Sequence, residues 1–114
     1  MTKPYVPDKG DIVWVHFTPQ AGHEQAGRRP AVVLSPQAYN AKSGLMVCVP
    51  VTNQIKGYPF EVALTGAGAT GAALADQVKS LDWQARQVGL KGRATEDELG
   101  KILLMIKSLL KIPS

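Results

Sequence analysis

Cysteine is nearly missing from this chain. Cys48 is its single thiol in 114 residues, which excludes an internal disulfide framework and fits a reducing cytoplasm. Long apolar runs are also missing: none approaches the roughly 18–20 residues needed to cross a bilayer. The opening Met1-Thr2-Lys3-Pro4-Tyr5 lacks the apolar stretch of a secretory signal. Metal-ligand patterns are absent as well. His16 and His23 stand outside any HExxH or cysteine-pair context, and the carboxylates are scattered, so no metal or cofactor is expected.

What is present is the balance of one folded domain spanning 1–114. Apolar residues make up 45% and charged residues 19%, unlike a disordered chain. Thirteen Lys and Arg against nine Asp and Glu leave a net charge of +4. Such an excess suits nucleic acid, an anionic surface or an acidic partner protein, and does not choose among them.

The first two-thirds reads as short strands separated by turn residues. Asp11 to Phe17 is rich in β-branched and aromatic residues and follows the turn signal Asp8-Lys9-Gly10. Pro30 to Ser35 is a second run, stopped by Pro36, and Leu45 to Thr52 a third. Pro59 to Thr65, Ala72 to Leu81 and Trp83 to Val88 give a fourth, fifth and sixth. Pro50 removes a ladder donor and so predicts an edge or a bulge. The period then changes. Thr95-Glu96-Asp97-Glu98 fits a capping box, and Leu99, Ile102, Leu103, Ile106, Leu109 and Leu110 recur at helical spacing until Pro113. The expected fold is mainly β: a small antiparallel barrel or sandwich carrying a C-terminal amphipathic helix whose apolar stripe serves the core.

Two irregular segments stand out. Thr18 to Arg29 is long for a hairpin connection and concentrates His23, Glu24, Gln25, Arg28 and Arg29. Asn53 to Tyr58 follows the third strand. Gly66 to Gly71 matches GxGxxG by letter, but a β pattern follows instead of a helix, and the expected downstream acid is missing. A hairpin loop is the better reading. Trp14, Tyr58 and Trp83 could supply stacking surfaces for bases; Trp14 belongs rather by its strand pattern to the core, whereas Tyr58 lies in a loop.

Glu24 with Arg28 and Arg29 is the sharpest constellation. Taken alone, such a pair can be a surface ion pair worth under about 1 kcal/mol. Its other use is phosphodiester cleavage without metal, in which the RNA 2′-OH attacks its own phosphate. A carboxylate can take the proton, a guanidinium fork can bind the phosphorane oxygens, and the Thr52 hydroxyl can add a neutral donor. Spacing permits this scheme and does not establish it.

The chain resembles the PemK/MazF family of bacterial toxins. The likeness runs through Tyr5-Val6-Pro7-Asp8, Gly10 to Val15, Glu24 to Pro36, Val49-Pro50-Val51-Thr52, Lys56 to Val62 and Ala73 to Ser80. It is looser in the C-terminal helix. The resemblance implies an SH3-like β-barrel, a homodimer, a MazE-like antitoxin partner and a cytoplasmic location. It further implies metal-independent cleavage of single-stranded RNA to a 2′,3′-cyclic phosphate and a 5′-OH. By position, Glu24, Arg29 and Thr52 match the family's catalytic residues, and Lys56, Gln77 and Arg86 match substrate contacts. Position 28, where some members carry His, is Arg28 here and is expected at the RNA.

That substitution bears on mechanism. Arg holds its proton beyond about pH 12, so it stabilises charge well and donates a proton poorly. Two adjacent cations would also lower the Glu24 pKa. The general acid is left open between Arg29 and a water. The competing functions are a toxin of this fold that binds a protein such as DNA gyrase, a non-catalytic nucleic-acid-binding barrel, and an inactive structural relative.

Overall fold

The structure is a computed structural model describing residues 5–17, 27–65 and 70–113. Seven strands and two helices follow in the order β1 (Asp11–Phe17), β2 (Gly27–Val33), α1 (Gln37–Ser43), β3 (Leu45–Thr52), β4 (Glu61–Leu64), β5 (Gly71–Leu74), β6 (Lys79–Asp82), β7 (Gly89–Arg93) and α2 (Glu96–Leu110). All pairings are antiparallel, in the order β4-β5-β3-β2-β1-β7, with β6 also on β3. The sheet curls into a half-barrel, which bears out the mainly β fold with a C-terminal helix.

Strand alternation makes two cores. Ile12, Val32, Val49, Val51, Val62 and Ala73 share one face with Ile102 of α2. Val13, Val15, Ala31, Val33, Met46 and Cys48 share the other with Trp83, whose burial there removes it as a base-stacking surface. The helix begins as its sequence predicts. Thr95 Oγ1 accepts from Glu98 N at 3.0 Å, and Glu98 Oε1 accepts from Thr95 N at 2.9 Å. Glu98 Oε2 also accepts from Thr65 N at 2.6 Å, so the cap ties α2 to the end of β4.

Several strand expectations need correction. β2 begins at Gly27, so Arg28 and Arg29 lie on a strand and not in the irregular segment expected from Thr18 to Arg29. The fifth run is two strands, because Ala75 to Val78 break it between β5 and β6. Trp83 to Val88 form turns rather than a sixth strand. Asp82 caps them, its Oδ1 accepting from Gln84 N and Ala85 N and its carbonyl from Arg86 N. Pro50 lies in an inner strand. Its missing donor is harmless because β6 leaves β3 at Cys48 and β5 joins only at Val51, so Pro50 meets the gap between them.

Asn40 is the buried polar hub. Its Oδ1 accepts from Ser35 Oγ at 2.6 Å, and its Nδ2 donates to Pro7 O at 2.8 Å and Ser35 O at 3.0 Å. Its carbonyl accepts from Trp83 Nε1 at 2.8 Å, which anchors the turn carrying Arg86. Gly66 to Ala69 of the GxGxxG match lie outside the described residues; β4 and β5, which flank them, pair antiparallel from Leu64 and Gly71 inward. Among the described residues, no helix is long and apolar enough to cross a membrane.

Candidate RNA-cleaving face

Arg28 and Arg29 are adjacent in sequence but sit on a strand, and a strand sends successive side chains to opposite faces. Arg29 pairs with Val15 of β1 and shares its face with Ala31 and the Cys48 core. Arg28 pairs with His16 on the other face. Its guanidinium carbon lies 4.9 Å from the Trp14 ring centroid, as does Lys91 Nζ. The pairing of β1 with β7 skips Lys91 between Ile12↔Gly92 and Val13↔Leu90, and that irregularity accompanies the Lys91 contact with the indole. Trp14 is therefore half-buried under two cations rather than enclosed in a core.

Thr52 closes β3. The β2–β3 pairing runs from Val33↔Cys48 to Ala31↔Pro50 and stops two residues short of both Arg29 and Thr52, which by alternation share the face of Ala31 and Cys48. Thr52 Oγ1 accepts from Gln54 N at 3.0 Å, leaving the hydroxyl proton free to donate outward. On its other side Thr52 pairs with Ala72 of β5. The adjoining Gly71 approaches so closely that a Cβ there would stand 2.3 Å from the Thr52 carbonyl oxygen, at a φ of +123°.

Further cations border the same face. Lys79 pairs with Cys48 across β3 and β6, and the Arg86 carbonyl accepts from His16 N at 3.0 Å. Their charges reach the buried Cys48 thiol: burial pushes it up to about 11, against the opposing pull of Lys79 and then Arg86. Gln77 is exposed in the connection from β5 to β6, its N–H on Leu74 O at 3.0 Å. Lys56 and Tyr58 lie exposed in the segment after β3, with Lys56 Nζ 5.9 Å from the Tyr58 ring centroid. Glu61 holds that segment. Its Oε2 accepts from Lys56 N at 3.1 Å and its Oε1 from Gly57 N at 2.9 Å.

Of the residues predicted from sequence, Arg29 and Thr52 lie by strand alternation on the same sheet face, the turn carrying Arg86 is bonded to β1 beside it, and Arg28 is on the other face. Lys56 and Gln77 lie on connections leading from β3 and into β6. Glu24, with His23, falls in residues 18–26, outside the described residues. Sequence reasoning takes Lys79 for solvated charge and passes over Gly71 and Glu61. The two-residue alternation of β6, which puts Lys79 on the face of Leu81 and the Met46 core, was the signal for the first. Gly71 and Glu61 gave no local sign.

Residues 8–110 match the PemK-like, MazF-like toxin family of type II toxin–antitoxin systems. Among curated relatives, the endoribonuclease toxin MazF of Escherichia coli K12 is 56% identical over 110 residues, covering 96% of this chain and 99% of that protein. The endoribonuclease PemK of Escherichia coli is 35% identical, covering 90% and 81%. A MazE–MazF crystal structure from Deinococcus radiodurans superposes with a TM-score of 0.91 at 52% identity, covering 96% of this chain and all of that one.

Proposed function

Since this chain belongs to the PemK-like, MazF-like toxins of type II toxin–antitoxin systems, we propose that it is an endoribonuclease cutting single-stranded RNA. The observation that carries the reading is that Arg29 of β2 and Thr52 of β3 lie on paired strands and, by alternation, on the sheet face of Ala31 and Cys48, where Lys79 also stands and the Arg86 charge is felt. A metal-free route uses the nucleophile RNA already contains. Glu24 takes the proton of the 2′-OH as its oxygen bonds to phosphorus. Arg29 and Thr52 donate to the non-bridging oxygens as charge grows on them. The bond from phosphorus to O5′ then breaks and O5′ takes a proton from Arg29 or a water. The products are a 2′,3′-cyclic phosphate and a 5′-OH.

Lys56, Gln77, Lys79 and Arg86 hold the flanking RNA, which must be unpaired to present its bases. Arg28 acts from the opposite face with Trp14 and Lys91, away from the scissile phosphate. The toxin works in the cytoplasm and is silenced by a MazE-like antitoxin, as the MazE–MazF pairing of the Deinococcus radiodurans structure suggests. Exposed Leu90, Leu104, Leu109, Leu110 and Ile112 offer the apolar surface for a homodimer.

Single-turnover cleavage of a mixed RNA pool tests the scheme. Glu24→Ala and Arg29→Ala should each slow cleavage by about 10²–10³, Arg28→Ala by less than about tenfold. A 2′-deoxy nucleotide on the 5′ side of the cut should block it. Intact RNA, or ends bearing a 5′-phosphate, would overturn the proposal. Intact RNA together with binding to a protein target would favour the protein-poisoning alternative.

A further inference from the structure

We infer that Glu61 is a positioning residue: its carboxylate clamps the Lys56–Tyr58 segment in the shape that receives RNA. The inference rests on the nuclease reading, because it assigns that segment to the substrate. After Thr52 the chain runs through residues 53–60 without helix or strand and presents Ile55, Lys56 and Tyr58 to solvent. An exposed segment of that length would ordinarily sample many conformations, and ordering it would weaken binding. Here one residue at the start of β4 meets it three times. The two carboxylate oxygens take Lys56 N and Gly57 N, and Glu61 N donates to Tyr58 O at 3.1 Å.

Gly57 has a φ of +77°, so two successive N–H groups converge on the carboxylate as a nest closing on an anion. Glu61 is itself fixed, half-buried and paired with Leu74 of β5. The clamp is thus built on the β5 strand that also pairs with Thr52. It sets where the Lys56 charge and the Tyr58 ring stand relative to the phosphate site, without touching the reacting atoms. A conformational cost removed before binding shows in KM, whereas the chemical step keeps its groups.

The test compares the full-length protein with Glu61→Ala and Glu61→Gln on a single-stranded RNA oligonucleotide that the unaltered protein cuts. Glu61→Ala should raise KM about tenfold with kcat within about twofold. Glu61→Gln, which keeps one acceptor oxygen, should recover part of the loss. Amide hydrogen exchange should speed up at Lys56 and Gly57 while Val32 and Val49 stay protected. If Glu61→Ala does not fold, Glu61→Gln carries the test, with a smaller rise in KM and the same local exchange. An unchanged KM in a folded variant, a fall confined to kcat, or unaltered exchange at both amides would overturn the inference. RNA left whole by the unaltered protein would instead sink the nuclease reading, and exchange would still decide whether Glu61 clamps the segment.

Discussion

Replacing Gly71 with alanine should injure cleavage far more than its distance from the chemistry suggests. The new Cβ would stand 2.3 Å from the Thr52 carbonyl oxygen, 3.1 Å from its carbon and 3.3 Å from Asn53 Cα. All three are backbone atoms, so no side chain can swing aside. Ordinary contact begins near 3.4 Å, and β3 and β5 must therefore part by about an ångström. Overpacking and the positive φ together cost on the order of 2–4 kcal/mol. A domain of this size has about 5–15 kcal/mol in hand, so the variant should still fold. The displaced group is the strand end that bears the Thr52 hydroxyl. A misplacement of about 1 Å lowers turnover on the order of 100-fold. Gly44→Ala is the control: Gly44 also has a positive φ, +74°, but nothing lies within 4 Å of its Cβ position. It should lose about 1 kcal/mol and cleave normally. Urea unfolding and single-turnover cleavage at saturating protein measure both quantities. Equal cleavage by the two variants would refute the argument that Gly71 sets the place of Thr52.

Two further outcomes follow from buried groups. The Cys48 thiol is pushed from its usual 9 to about 11 and stays neutral in the fold, while the unfolded chain ionises it first. Stability should therefore fall between about pH 9 and 11, by about 2–3 kcal/mol. Tyr5, also pushed upward by burial and its bond to Asp11, adds to the loss above its usual 10. Urea midpoints across that range should fall less steeply in Cys48→Ala, and an identical slope would remove Cys48 as a cause. At the helix, Thr95→Ala should cost about 1 kcal/mol as a lost cap. Glu98→Ala should cost more, because Thr65 N loses its acceptor as well. Thermal melting ranks the two, and the reverse order would refute the tether.

Much of the fold was legible because local chemistry and burial agreed. β1 and β3 end where their apolar runs end, and α2 starts at the capping box written in its sequence. The misses have physical causes. α1 is only seven residues long and depends on the buried Asn40 hub rather than on an apolar stripe. β7 contains Gly89 and Gly92, poor strand formers, and is held by its pairing with β1. Trp83 to Val88 looked extended because Trp83 is apolar, but Asp82 bends the chain there.

For the site, residue types pointed to Arg29 and Thr52, which the pairing of β2 with β3 and strand alternation put on one sheet face. Adjacency of Arg28 and Arg29 misled, since neighbours on a strand face apart. Nothing near Glu61 or Gly71 in sequence announces their partners. Those contacts depend on how far the chain travels before it returns.

The place of β1 in the sheet has a consequence for how the protein is made. β1 precedes both of its partners in the chain yet lies inside the sheet, and its second neighbour arrives only with β7, Arg93 meeting Asp11 across 82 residues. Until then a nascent chain carries an open strand edge of the kind that invites wrong partners. Arg86, too, is among the later residues to emerge. A ribosome must thus pass β6 and Arg86 before the basic face can exist, and a product stopped ahead of them would carry the early arginines without the surface that gives them a purpose.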